Sequence, residues 1–287
     1  MLASSLLLLV LSAAPDAFAE STRAWQKQRL ERLQADDGWL TLAGLSWLEA
    51  GANTAGSAPK SAVSFPSGAP AQLGTFTRAG SSVTFAPAPG VAVTLAGKPF
   101  TGGAVKTDAS SEPDVLQVGR FTFQVISRGD KLGVRIRDPE APARKAFQGI
   151  PTWAPAPKWR LTARWEPAAK GATLAVPNVL GQVENEPAPG TAIFSVDGKA
   201  YRLTPVLEDG SPQLFFVFGD ETNKRESYGA GRFLYADPPK DGVVTLDFNR
   251  AYNPPCAFSA FATCPLPARQ NRLALRVEAG EQRTASH

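Results

Sequence analysis

Short apolar alternations, broken every few residues by glycine or proline, constrain this chain more than any other feature. Twenty-five glycines and 25 prolines are spread through 287 residues. Such interrupted segments do not sustain long helices, whereas strands of four to eight residues closed by turns require this punctuation. The clearest run is Phe121-Thr122-Phe123-Gln124-Val125, which alternates with period two. It leads through Ser127-Arg128-Gly129-Asp130 into Leu132, Val134 and Ile136, which alternate with Gly133, Arg135 and Arg137. The pattern predicts a hairpin with one buried face and one wet face.

The same reading places short strands at 63–65, 74–77, 83–85 and 91–95. After a proline-rich stretch it adds 159–165, 172–176, 191–196, 200–204, 213–218, 243–247 and 273–278. Asp197-Gly198 signals a two-residue hairpin turn. Leu214-Phe215-Phe216-Val217-Phe218 is apolar on both faces, as a central strand is. The fold class expected is all-β with minor helix, as two packed β units. A first unit over 59–138 resembles a small sandwich or partial barrel. A connector over 139–158 leads to a larger antiparallel unit over 159–287. Before them, 20–58 should hold a helix from Ser21 to Gln34, stopped near Gly38, and a tryptophan-rich stretch containing Trp39 and Trp47. Those two rings suit packing across a domain interface, with a sugar-stacking platform as the alternative.

Residues 1–19 have the pattern of a secretory signal peptide. An apolar run from Leu6 to Leu11 precedes Ala17-Phe18-Ala19, an A-x-A cleavage pattern before Glu20. The run is about half the ~20 residues that span a bilayer, so no membrane span is expected after cleavage. A periplasmic or secreted location follows as the expectation. In such a compartment Cys256 and Cys264, the two cysteines, are expected to form a disulfide across a short loop.

Charge and residue type narrow the chemistry. Thirty basic and 26 acidic residues are interspersed without a basic cluster, so a nucleic-acid partner is not expected. The single histidine is His287, a poor site for the positioned imidazole that Ser-His-Asp, Cys-His or His-ligated zinc chemistry needs. No glycine-rich phosphate loop follows a strand, and no cofactor or metal is expected. The polar residues that remain gather between Asp220 and Glu281. Candidate ligand-binding residues are Asp220, Tyr228, Arg232, Asp247, Asn249, Tyr252 and Asn253. Asp247 and Asn249, on one side of a strand, serve either as turn caps or as ligand groups. Arg232 is either the buried partner of a carboxylate or a clamp for an anion.

Asp247-Phe248-Asn249-Arg250-Ala251-Tyr252-Asn253-Pro254-Pro255-Cys256-Ala257-Phe258 resembles the signature of the bacterial DUF1684 family. Cys264-Pro265-Leu266-Pro267, Asn271-Arg272-Leu273, Ala279-Gly280-Glu281 and Tyr228-Gly229-Ala230-Gly231-Arg232 are similar to it as well. So are, near the N-terminus, the stretch from Gly38 to Gly44 and Gly51-Ala52-Asn53, so the resemblance extends over nearly the whole chain after residue 19. The resemblance implies no activity and carries over no catalytic residue. Three functions stay open. One is an exported binding or cell-envelope protein, with carbohydrate or a small anion as ligand. Another is a carboxylate-dependent hydrolase using two of Asp220, Asp247 and Glu278 as acid and base. The last is a purely structural module.

Overall fold

Twenty short strands and one main helix form the computed structural model, which describes residues 13–208 and 210–284. The leader expected over 1–19 lies outside the described residues as far as residue 12, and His287 does too. The main helix runs Ala13–Gln34, longer than expected at its start, with the Lys27–Glu31 pair in place at 3.9 Å. No helix among the described residues is long and apolar enough to cross a membrane.

The strands form several sheets, antiparallel except where Gly51–Gly56 runs parallel to Val63–Ser64, and none closes into a barrel. A six-stranded sheet is ordered Leu42–Trp47, Lys131–Arg137, Phe121–Arg128, Leu116–Val118, Thr94–Leu95, Lys98–Pro99. A five-stranded sheet centred on Gly74–Ala79 shares its core. Phe65, Phe76, Phe85 and Phe123 meet there, Phe123 edge-on to the other three at 5.3–6.1 Å. Leu132, Val134 and Ile136 point into this core as their alternation requires.

Beyond the connector, a four-stranded sheet holds Arg160–Pro167 between Gly190–Val196 and Val243–Asp247. The Asp197-Gly198 turn is present, both residues at positive φ, between Gly190–Val196 and Lys199–Leu203. Leu214–Phe218 is the middle strand of a three-stranded sheet with Val206–Leu207 and Arg232–Ala236. Its two apolar faces have separate duties. Phe216 and Phe218 enter the core of the four-stranded sheet, whereas Phe215 and Val217 enter a cluster that includes Leu42. That second cluster joins the two halves of the chain.

Three sequence expectations need correction. The 273–278 segment is not a strand, although Leu273 and Val277 are buried. Its backbone pairs only irregularly: the Leu273 amide donates to the Gly219 oxygen at 2.8 Å and the Leu275 oxygen accepts from the Glu221 amide at 3.0 Å. After these, Arg232 donates to the Val277 oxygen at 2.8 Å and to that of Ala279 just beyond. Asn249 does not continue the strand of Asp247. The strand ends there, a 3-10 turn spans Phe248–Arg250, and Asn249 folds back to donate to Asp247 at 2.9 Å. The wet face expected for the hairpin is covered too, since Arg135 is only 3% exposed. Trp39 lies against it, with the Arg135 and Arg137 guanidinium carbons 5.6 and 5.5 Å from the ring centre.

Candidate functional site

Asp220 and Arg232, the strongest polar candidates in the sequence, form a closed structural knot. Both side chains are 0% exposed and meet at 3.1 Å. The Asp220 carboxylate also accepts from the Thr222 amide and hydroxyl and from the Val277 amide at 2.8 Å. Arg232 lies between the Trp153 and Phe218 rings, each 5.3 Å from its guanidinium carbon. Burial lowers its pKa, and Asp220 opposes that shift. Every Asp220 oxygen is taken and both side chains are fully enclosed, so although the Arg232 Nε has no hydrogen-bond partner the pair offers no open face to a ligand.

A second knot adjoins it. Glu281, 2% exposed, accepts from Arg29 at 3.2 Å and from the Asn253 amide at 2.7 Å. Burial raises its pKa and Arg29 pulls it back. Asn253 donates to the Gln282 carbonyl at 2.7 Å and accepts from Arg29 through its own carbonyl at 3.0 Å. Asn249 clamps the connector, donating to the Ala156 oxygen at 3.1 Å and accepting from its amide at 2.8 Å. Asp247 caps the turn that holds Asn249. Tyr228 is half-buried in a separate shallow hollow beside Lys224 and Ala230. Of the carboxylates weighed for hydrolysis, Asp220 is enclosed, Asp247 caps its turn and Glu278 pairs with Arg276 at 2.9 Å. Each has its own neighbourhood.

The disulfide expected between Cys256 and Cys264 is not formed, and both are free thiols. Each backbone amide points at the other residue's sulfur, at 3.1 and 3.4 Å. The hydrogen bond between the thiols lowers the Cys256 pKa and raises that of Cys264.

Asp247 lines an open, mainly polar hollow of about 570 Å³ with Arg160, Lys240 and Arg250, whereas Tyr252 lines a cleft with aromatic walls. The cleft measures about 520 Å³. It lies between the Phe121–Arg128/Lys131–Arg137 hairpin, the main helix and the Leu214–Phe218/Arg232–Ala236 strands. Four arginines line it, Arg29, Arg32, Arg128 and Arg135, against one carboxylate, Glu208, which accepts from the Tyr235 hydroxyl. Arg29 is engaged by Glu281, and Arg128 pairs with Asp108 at 2.8 Å. Arg135 has no carboxylate within 4 Å among the described residues, and its Nε has no hydrogen-bond partner. Its single side-chain bond goes to the Thr263 hydroxyl at 3.2 Å, an oxygen that also accepts from Arg128 at 2.9 Å. Burial, reinforced by Arg128, lowers the Arg135 pKa to about 10, still far above neutrality. Asp108, already paired with Arg128, offsets only part of this shift, and a buried cation with no carboxylate in contact is a costly arrangement that a bound anion relieves. Past Arg128 the cleft opens into a hollow of about 630 Å³ walled by Glu184 and Glu186. The two ends therefore differ in sign.

Periodicity put Arg135 on a wet face, and one signal could have corrected this. Arg135 and Arg137 share a strand face opposite a tryptophan-rich segment, which is the composition of a covered interface.

No curated protein matches this chain. A solution NMR structure of an uncharacterized protein from Haloarcula marismortui is 32% identical over 50% of this chain and 81% of its own, with a TM-score of 0.42. Residues 145–282 match the family described as "Protein of unknown function (DUF1684)". That stretch contains the Asp220–Arg232 knot, Glu281 and Asn253 of the second knot without Arg29, and Tyr252; it leaves out the similarity expected at Gly38 to Gly44 and Gly51 to Asn53, and through it the chain belongs to the DUF1684 family.

Proposed function

We propose that the chain is a ligand-binding protein and that its cleft takes a small anionic molecule at Arg135. The observation that carries this reading is one buried guanidinium, 3% exposed, that lines the cleft with its Nε unpartnered and no carboxylate within 4 Å among the described residues; the cleft's own carboxylate, Glu208, is engaged by the Tyr235 hydroxyl. A purely structural module gains nothing from such a charge, since an apolar side chain of equal volume would pack there at lower cost. The positive lining also favours an anion over a neutral carbohydrate. Calorimetric titration of the full chain with benzoate, inorganic phosphate and a neutral disaccharide tests it. Binding of an anion, weakened about 10- to 100-fold by Arg135→Gln, is the expected result, the loss of a charged hydrogen bond. The ligand-free variant should melt no lower than the parent, because the substitution removes an uncompensated buried charge. Binding of the disaccharide alone, or anion binding indifferent to Arg135→Gln, would overturn the proposal.

We further propose that the chain meets this ligand outside the cytoplasm. The support is the apolar run Leu6 to Leu11 and the Ala17-Phe18-Ala19 pattern. Protein recovered from the periplasm or medium of an expressing bacterium should begin at Glu20. Intact protein confined to the cytoplasm would refute it.

A further inference from the structure

We infer that the anion held at Arg135 is carried on a flat aromatic body, so that the ligand class is an aryl carboxylate and not a compact inorganic anion. This rests on the anion-binding reading above. Size is the first argument. A cleft of about 520 Å³ falls in the range of roughly 300–1,000 Å³ that encloses an organic ligand, far more than a carboxylate group needs.

The walls are the second argument. Phe215 and Tyr235 stack at 4.9 Å and 28°, and Tyr235 and Tyr252 stack at 6.1 Å and 16°. Phe233 stands edge-on to Phe215 at 4.9 Å and to Tyr252 at 5.7 Å, and Trp25 leans on Tyr252 at 6.3 Å. The rings hold one another in place, so the wall is ordered before a ligand arrives and little freedom is lost on binding. The Tyr235 hydroxyl is spent on Glu208, which leaves ring carbon as the surface on offer. Aromatic side chains favour offset-stacked and edge-to-face partners, geometries that a flat ring can adopt and a flexible alkyl chain cannot.

Charge placement is the third argument. The unpaired cation lies on the hairpin side of the cleft, and the aromatic ladder lies on the opposite strands and helix. A molecule that satisfies both needs an anionic group at one edge of an apolar plane. The hollow beyond Arg128 carries Glu184 and Glu186, which repel the anionic end and so fix which way the molecule enters.

Calorimetric titration of the full chain with 2-naphthoate, octanoate, acetate and neutral 2-naphthalenemethanol tests the inference. We expect 2-naphthoate to bind at least tenfold more tightly than each of the other three. Tyr252→Ala should remove most of that advantage and leave acetate affinity unchanged. Trp25→Ala, on the helix side, provides the same readout if the first variant folds poorly. Equal binding of acetate and 2-naphthoate overturns the aromatic class while the anion site stands, and tighter octanoate binding overturns it in favour of an acyl chain. If no carboxylate binds the parent protein, both readings fall together.

Discussion

Arg232→Met should destabilise the protein by about 3–5 kcal/mol, the penalty for breaking a fully buried ion pair on one side. Methionine fills much of the space between Trp153 and Phe218, so the loss is electrostatic more than volumetric. What remains is an enclosed Asp220 carboxylate without its cation, and carbonyls of Val277, Ala279 and Glu281 without their donor. At about 2–4 °C per kcal/mol for a domain of this size, the melting temperature should fall by roughly 6–20 °C. Urea denaturation of parent and variant gives the measurement. A loss under about 1 kcal/mol would mean that the knot is solvated and the burial argument wrong. Replacing the pair together, with Asp220→Leu and Arg232→Met, should cost less than the single change, because no charge is then stranded.

Gly280→Ala should cost roughly 2–4 kcal/mol, from a left-handed backbone and a steric clash acting together. Gly280 sits at φ +79°, and an added Cβ would lie 2.3 Å from the Ala251 oxygen and 2.8 Å from that of Phe248. The Ala251 oxygen is already the acceptor for the Glu281 amide at 2.8 Å. Relieving the clash therefore lifts Glu281 from Arg29 and Ala279 from Arg232 at once. The effect should not add to that of Arg232→Met, because both changes loosen one segment. Thermal unfolding of the two single variants and the double variant checks both size and non-additivity. A Gly280→Ala protein as stable as the parent would show that the 279–281 segment has room to shift.

The sequence was legible wherever one physical signal acted alone. Phe121-Thr122-Phe123 had only to alternate, and Asp197-Gly198 had only to supply two positive φ values. Leu214 to Phe218 announced a central strand through its two apolar faces. The 273–278 segment misled because its apolar spacing is real while its backbone is shared between Gly219 and Glu221 on one stretch and the Arg232 and Asp220 side chains on the next, and period-two patterns cannot tell this from a ladder. Asp220 and Arg232 were correctly singled out as unusual, but sequence spacing could not say whether they face each other or a ligand. Arg135 was hidden for a related reason: a charge on an alternating strand defaults to the wet face, and only the packing of Trp39 and the Thr263 loop against it reveals the cover. Cys256 and Cys264 were placed close together as expected, yet closeness in sequence does not make a bond, and the two remain free thiols.

The anchoring of the main helix has a kinetic consequence. Its deepest polar contacts, from Arg29 to Asn253 and Glu281, join residues 224 and 252 positions apart. A helix of that length forms locally and early, but its docking must wait until the distant knot exists to receive Arg29. The order is early folding and late arrival. Because Trp25 and Arg29 stand in the cleft wall, that wall is the last part of the molecule to be completed. It is also the first part exposed to reversal, and any ligand of the class proposed above would hold the helix in its berth.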